Sequence, residues 1–143
     1  MRILTAMLAG LLLAGVAEAW EDDSLIPIQT IMLEAGNQSL EGQIAVGEVI
    51  RNRALRGDLS PESVCLARRQ FSCWNDRKQA KKRLSRASGE TFQRASRAWA
   101  ESEHSQLVGE STHYHTVDVL PYWAKGHKPA YRIGRHLFYE GIK

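Results

Sequence analysis

The chain has 143 residues, 43% of them hydrophobic and 24% charged, with a formal net charge of +3. That is enough apolar residue for one well-filled core but too little chain for two domains. The charge is too modest to mark a nucleic-acid binder on its own, and no nucleic-acid motif accompanies it.

Residues 1–19 have the form of a secretory signal peptide: Arg2 at the start, the apolar run "ILTAMLAGLLLAGV", and Ala17-Glu18-Ala19 as a small-x-small cleavage site. At roughly 14 apolar residues the run falls short of the ~20 that a spanning helix needs, although such a segment also serves as an uncleaved anchor. Cleavage leaves residues 20–143, beginning at Trp20, as one domain in a secreted or periplasmic setting. No later segment is apolar enough to span a bilayer, so no stable membrane insertion is expected after cleavage.

A first helix is predicted from Leu25 or Pro27 to about Ala35, capped by Asp23 or Ser24 and stopped by a left-handed Gly36-Asn37. It ends on Glu34, preceded by Ile31, Met32 and Leu33. Ser39 caps a second helix, whose Gly42, Ala45, Val46, Val49, Ile50 and Arg53 share one face, with Gly42 and Ala45 small enough for another helix to approach closely. Glu41 and Glu48 stand seven apart in it, the spacing of a solvated face. Asn52, in "RNR", is expected to bond a loop backbone.

Ser60-Pro61 opens a short helix. Cys65 and Cys73 follow, and in an exported chain an even cysteine count suggests a disulfide, two buried thiols being the alternative. Between Arg68 and Arg97 ten Lys or Arg face only Asp76 and Glu90, a local +8. Such a stretch is either a surface for an anionic polymer or a solvated helix face. A long polar helix is predicted from Ser88 to about Leu107, carrying Phe92, Ala95 and Trp99. After Gly109 the texture turns to aromatics, histidine, glycine and proline, with β-like runs at Thr112 to Val119 and Arg135 to Tyr139.

Four blocks, "EAGNQSLEGQIAVGEVIRNRA", "VC…QFSCW", "THYHT…PYWA" and "IGRHLFY", occur in the order found in the SleB-type cell-wall hydrolases, a family that includes spore-cortex-lytic enzymes and related bacterial and phage wall hydrolases. The chain resembles that family from Ile28 to Tyr139. The resemblance implies an α+β, lysozyme-like or lytic-transglycosylase-like fold, mainly helical with a small C-terminal β and loop region. It also implies cleavage of peptidoglycan between N-acetylmuramic acid and N-acetylglucosamine, with Glu34 as the catalytic acid. Family members often carry a second acid four positions later, where this chain has Gln38.

A lone glutamate suits a lytic transglycosylase, in which the muramic 6-hydroxyl replaces water as the attacking group and one carboxyl both donates and accepts the proton. The apolar residues before Glu34 are expected to raise its pKa toward neutrality. Gln70, Phe71 and Ser72 are candidate sugar contacts, with Tyr114, His115, Trp123, His136 and Tyr139 as an opposite wall of rings. Phe71, Trp74, Trp99 and Phe138 read more readily as core. His113 and His115, with His136 or Glu34, raise the alternative of a zinc-dependent wall amidase, although there is no H-E-x-x-H helix. A non-catalytic wall-binding module is the third reading. The expected polymer partner is peptidoglycan, with no cofactor, no nucleic acid and a monomeric state.

Overall fold

The computed structural model describes residues 22–143, so the expected leader and its cleavage site before Trp20 lie outside the described residues. Asp22 accepts from the Ser24 amide and caps a 3-10 turn, Asp23–Leu25, that runs directly into helix α1, Ile26–Ala35. Every residue of α1 from Pro27 to Leu33 is buried, as expected of a helix surrounded by others. Helix α2, Leu40–Gly57, and helix α5, Gly89–Glu101, both pack on α1, and together they hold the main core of Ile28, Ile31, Met32, Leu33, Ile50 and Ala95. Two shorter helices complete that layer, α3 at Pro61–Leu66 and α4 at Arg77–Ser85. Among the described residues no helix is long and apolar enough to cross a membrane.

The C-terminal third forms a small antiparallel sheet of β1, His113–Thr116, β2, Tyr131–Ile133, and β3, His136–Tyr139, in the order β1-β3-β2. Tyr114 pairs with Phe138 and Thr116 with His136, so these four side chains share the sheet face that meets the helices. Phe138 is fully buried there among Ala45, Val49 and Val108. The predicted class, helices first and a small sheet last, describes this architecture.

Several local expectations need correction. The turn after α1 is not left-handed: Gly36 has φ −58 and ψ −26. Glycine is needed there because a Cβ would lie 2.4 Å from the Met32 carbonyl oxygen. The close helix approach in α2 falls at Gly47, where a Cβ would sit 2.8 Å from the Ser102 side chain, rather than at Gly42 and Ala45. Ala45 faces the sheet instead.

Glu48 is not on a solvated face. It is 3% exposed, and its carboxylate accepts from the Leu107 and Val108 amides at 2.9 Å each and from the Ser105 hydroxyl. That anchor explains why α5 stops at Glu101 instead of reaching Leu107: the following residues turn aside to close on Glu48. Helix α4 had no counterpart among the predicted elements, since only Ala80 and Leu84 of its nine residues are buried.

The expected Cys65–Cys73 disulfide is absent: both are free thiols. Their surroundings differ, the Cys65 side chain lying beside Thr30 and the Cys73 side chain beside Glu34. Burial pushes Cys65 up to about 12, and burial followed by the Glu34 charge pushes Cys73 higher still.

Candidate active site

Three elements meet at Glu34. It is the penultimate residue of α1, and it is half-buried where its helix neighbours Ile31, Met32 and Leu33 are buried in the core. Its Oε1 accepts from the Cys73 amide at 3.1 Å, and its Oε2 accepts from the Tyr114 hydroxyl at 3.1 Å. The two hydrogen bonds it accepts thus come from polar donors, with the Cys73 thiol beside it. The apolar residues that precede it in sequence belong to the buried core.

Cys73 lies in the 3-10 turn Ser72–Trp74. That turn is fixed on α1 because the Trp74 indole donates to Thr30 Oγ1 at 2.9 Å, while the Thr30 hydroxyl itself donates to the Ile26 carbonyl. From the other side Arg83 of α4 donates to the Leu33 carbonyl at 2.9 Å. Tyr114 arrives on β1. Burial first, then the nearby Glu34 charge, pushes its hydroxyl well above 10, so it remains a donor at any ordinary pH.

The "RNR" triplet holds these pieces in place, each residue in a different direction. The Arg51 guanidinium stacks 3.7 Å from the Trp99 ring centroid and donates to the Trp99 carbonyl and Ser102 hydroxyl at 2.8 Å each. Asn52 does bond a loop backbone, donating to the Gly109 and Ser111 carbonyls at 2.8 and 3.0 Å. Arg53 donates to the Thr112 carbonyl at 2.6 Å and the Gln70 carbonyl at 3.1 Å, with its guanidinium over the Phe71 ring. It thus ties the start of β1 to the loop that leads into the Cys73 turn. Arg53 was not among the candidate residues; its signal in the sequence was only that an arginine closed the apolar face of α2.

The candidate sugar contacts divide. Gln70 and Ser72 are exposed beside the turn, whereas Phe71 is core at 3% exposure. Tyr114 and His136 lie on the Glu34 side of the sheet, their rings edge to face at 5.1 Å. His136 is buried, its Nδ1 has no hydrogen-bond partner, and burial lowers its pKa against the opposing pull of Glu34. His115 and Tyr139 do not join this wall, because alternation along β1 and β3 sends them to the opposite face, and Trp123, in the 3-10 turn Tyr122–Ala124, lies with them. There His115 Nε2 pairs with the Tyr139 hydroxyl at 2.8 Å, and Trp123 packs edge-on against both rings.

The same alternation separates the proposed zinc ligands. His113 and His115 share the outer face and His136 the inner one, and both nitrogens of His115 are already engaged, by the Thr116 carbonyl and by Tyr139. Among the described residues no three His, Cys, Asp or Glu side chains converge on a possible ion. Arg53, Cys65, Cys73, Tyr114 and His136 all feel the charge of Glu34. The site therefore offers one orientable carboxyl group and two fixed donors, an arrangement suited to moving one proton out and back.

A family model described as cell wall hydrolase matches residues 37–139, so Glu34 stands three residues ahead of the matched span. Among solved structures, the catalytic domain of the Bacillus cereus SleB protein is similar with a TM-score of 0.66 at 21% identity, covering 84% of this chain and 91% of that one. The catalytic domain of SleB from Bacillus anthracis, described as a germination-specific lytic transglycosylase, is similar with a TM-score of 0.66 at 21% identity, covering 82% and 93%. No curated protein matches the chain.

Proposed function

The chain belongs to the cell wall hydrolase family, and on that premise we propose that it is a lytic transglycosylase cleaving the bond between N-acetylmuramic acid and N-acetylglucosamine in peptidoglycan. The observation that carries the reading is the lone Glu34 carboxyl, held by the Cys73 amide and the Tyr114 hydroxyl with Gln38 where a second acid is common in the family.

In the forward step Glu34 gives its proton to the glycosidic oxygen as the bond from that oxygen to the muramyl anomeric carbon breaks. The two donors then stabilise the carboxylate left behind. The muramic 6-hydroxyl attacks the anomeric carbon, its proton passes to Glu34, and the products are a 1,6-anhydromuramyl end and a free glucosamine 4-hydroxyl. Water is not consumed, so no second carboxylate is required to activate it. Tyr114 and Cys73 act as positioning residues, and Gln70 and Ser72 contact sugar hydroxyl and acetamido groups. The setting is the cell envelope, reached after removal of the leader ahead of Trp20.

The test is digestion of purified peptidoglycan followed by mass spectrometry of the fragments. Anhydromuramyl ends are expected; reducing muramyl ends instead mean a hydrolase, and released peptides an amidase. Glu34→Gln keeps the side chain's size but removes the transferable proton, so turnover should fall by at least ~100-fold. Near-normal turnover in that variant overturns the assignment.

A further inference from the structure

Helix α4 carries Arg77, Lys78, Lys81, Lys82 and Arg83 in nine residues with no acid, and Arg86 follows as its C-cap. Arg77 and Lys78 occupy the first turn, where the positive end of the helix dipole disfavours cations. Lys78 and Lys82, then Lys82 and Arg86, stand four apart and repel. Of the ion pairs among the described residues none involves Arg77, Lys78, Lys82 or Arg86, and all four are exposed. Such a helix is electrostatically incomplete by itself.

Its placement says what would complete it. Arg83 is turned inward and bonds the Leu33 carbonyl, one residue before Glu34, which fixes α4 on the rim of the site. The helix begins just after the turn whose Cys73 amide reaches Glu34. On the other side of that turn, exposed Arg68 and Arg69 line a shallow groove with Phe71, Trp74 and Asn75. Between Arg68 and Arg86 the one acid is Asp76, and its carboxylate is occupied in capping the Gln79 amide. A strip of cations thus flanks the single glutamate.

We infer that this strip is a subsite for the carboxylates of the peptides hung from muramyl residues, so that the favoured substrate is glycan that still bears its peptides. This rests on the glycan-cleaving reading above. While the peptides are attached, the lactyl carboxyl of each muramyl residue is spent in the amide link, so the charges left for the cations are the peptides' own carboxylates, and flexible lysines suit carboxylates on mobile peptides, because an ammonium needs no fixed approach.

The experiment measures affinity at equilibrium in the Glu34→Gln background, for soluble glycan strands bearing peptides and for the same strands after an amidase has removed them and the lactyl carboxyls so freed have been converted to primary amides. Peptide-bearing strands should bind about tenfold more tightly at low salt, as a few exposed charge contacts together provide, and the gap should shrink as salt is added. Lys78→Gln/Lys82→Gln/Arg86→Gln should bring the ratio close to one, and Lys125→Gln/Lys128→Gln/Lys143→Gln, with the same change in net charge, should preserve it. Equal binding of the two substrates, an unchanged ratio in the α4 variant, or equal loss in the control variant overturns the subsite. The first comparison needs no α4 variant, so misfolding of that variant leaves the proposal decidable. The fragment analysis reads Glu34 separately: anhydro products with no preference for peptides sink the subsite alone.

Discussion

Glu34 and Glu48 lie in adjacent helices, and replacing each should have opposite consequences. Glu48 is 3% exposed, and its three acceptor contacts hold residues 105–108 against α2. Glu48→Ala removes those bonds and orphans the Leu107 and Val108 amides, each costing about 1 to 3 kcal/mol if water cannot reach it. Relief of the buried charge and partial relaxation of the loop offset some of this, so the expected net loss is about 3 kcal/mol. With a urea slope of about 1.5 kcal/mol/M for a domain of this size, the midpoint should move down by about 2 M with the slope unchanged. Tryptophan fluorescence during urea unfolding measures it, since Trp99 packs beside this loop through Arg51 and Ser102. Glu34→Gln in the same assay should unfold close to the wild-type midpoint while losing turnover. A shift below about 0.5 M for Glu48→Ala, at constant slope, refutes the claim that this carboxylate anchors the loop.

Two further outcomes follow from the contacts around the site. Arg53→Lys keeps the charge but replaces a planar fork by one ammonium, which does not span both the Thr112 and Gln70 carbonyls; turnover on peptidoglycan should drop about tenfold or more through loosened Glu34 donors, and unaltered kinetics would count against the clamp. The thiols should resist iodoacetamide at pH 8 in the folded protein and react once urea is added, with no reductant needed, whereas a disulfide would require reduction first. Because burial raises folded Cys65 from 9 to about 12, its contribution is complete below about pH 9 and disappears as pH rises toward 12, at most about 4 kcal/mol; urea midpoints across that range should fall less steeply in Cys65→Ala.

Residues that act through local chemistry were legible in the sequence. Ser39 and Ser60 cap the helices expected of them, Glu34 falls at the end of its helix, and Asn52 bonds a loop. What was not legible depended on partners distant in the chain. Glu48 looks solvated by spacing alone because its partners lie nearly sixty residues downstream. The stretch that becomes α4 read as a block of charge because its burial rests on two residues. The ring-rich block after Gly109 reads as one wall in the sequence, whereas strand alternation divides its strand residues between two faces.

That division makes the geometry of β1 depend on a parity. Tyr114 reaches Glu34, and its neighbour His115 is sealed against Tyr139 on the far side. Were β1 to slide by a single residue along β3, imidazole would replace phenol at the carboxylate and the phenol would be stranded outside. Asn52 and Arg53 grip the carbonyls of Gly109, Ser111 and Thr112, the run immediately ahead of the strand, and so act as a phase lock. A one-residue insertion between Thr112 and Tyr114 is therefore a more drastic change to this protein than a much longer one in the exposed segment at 125–130.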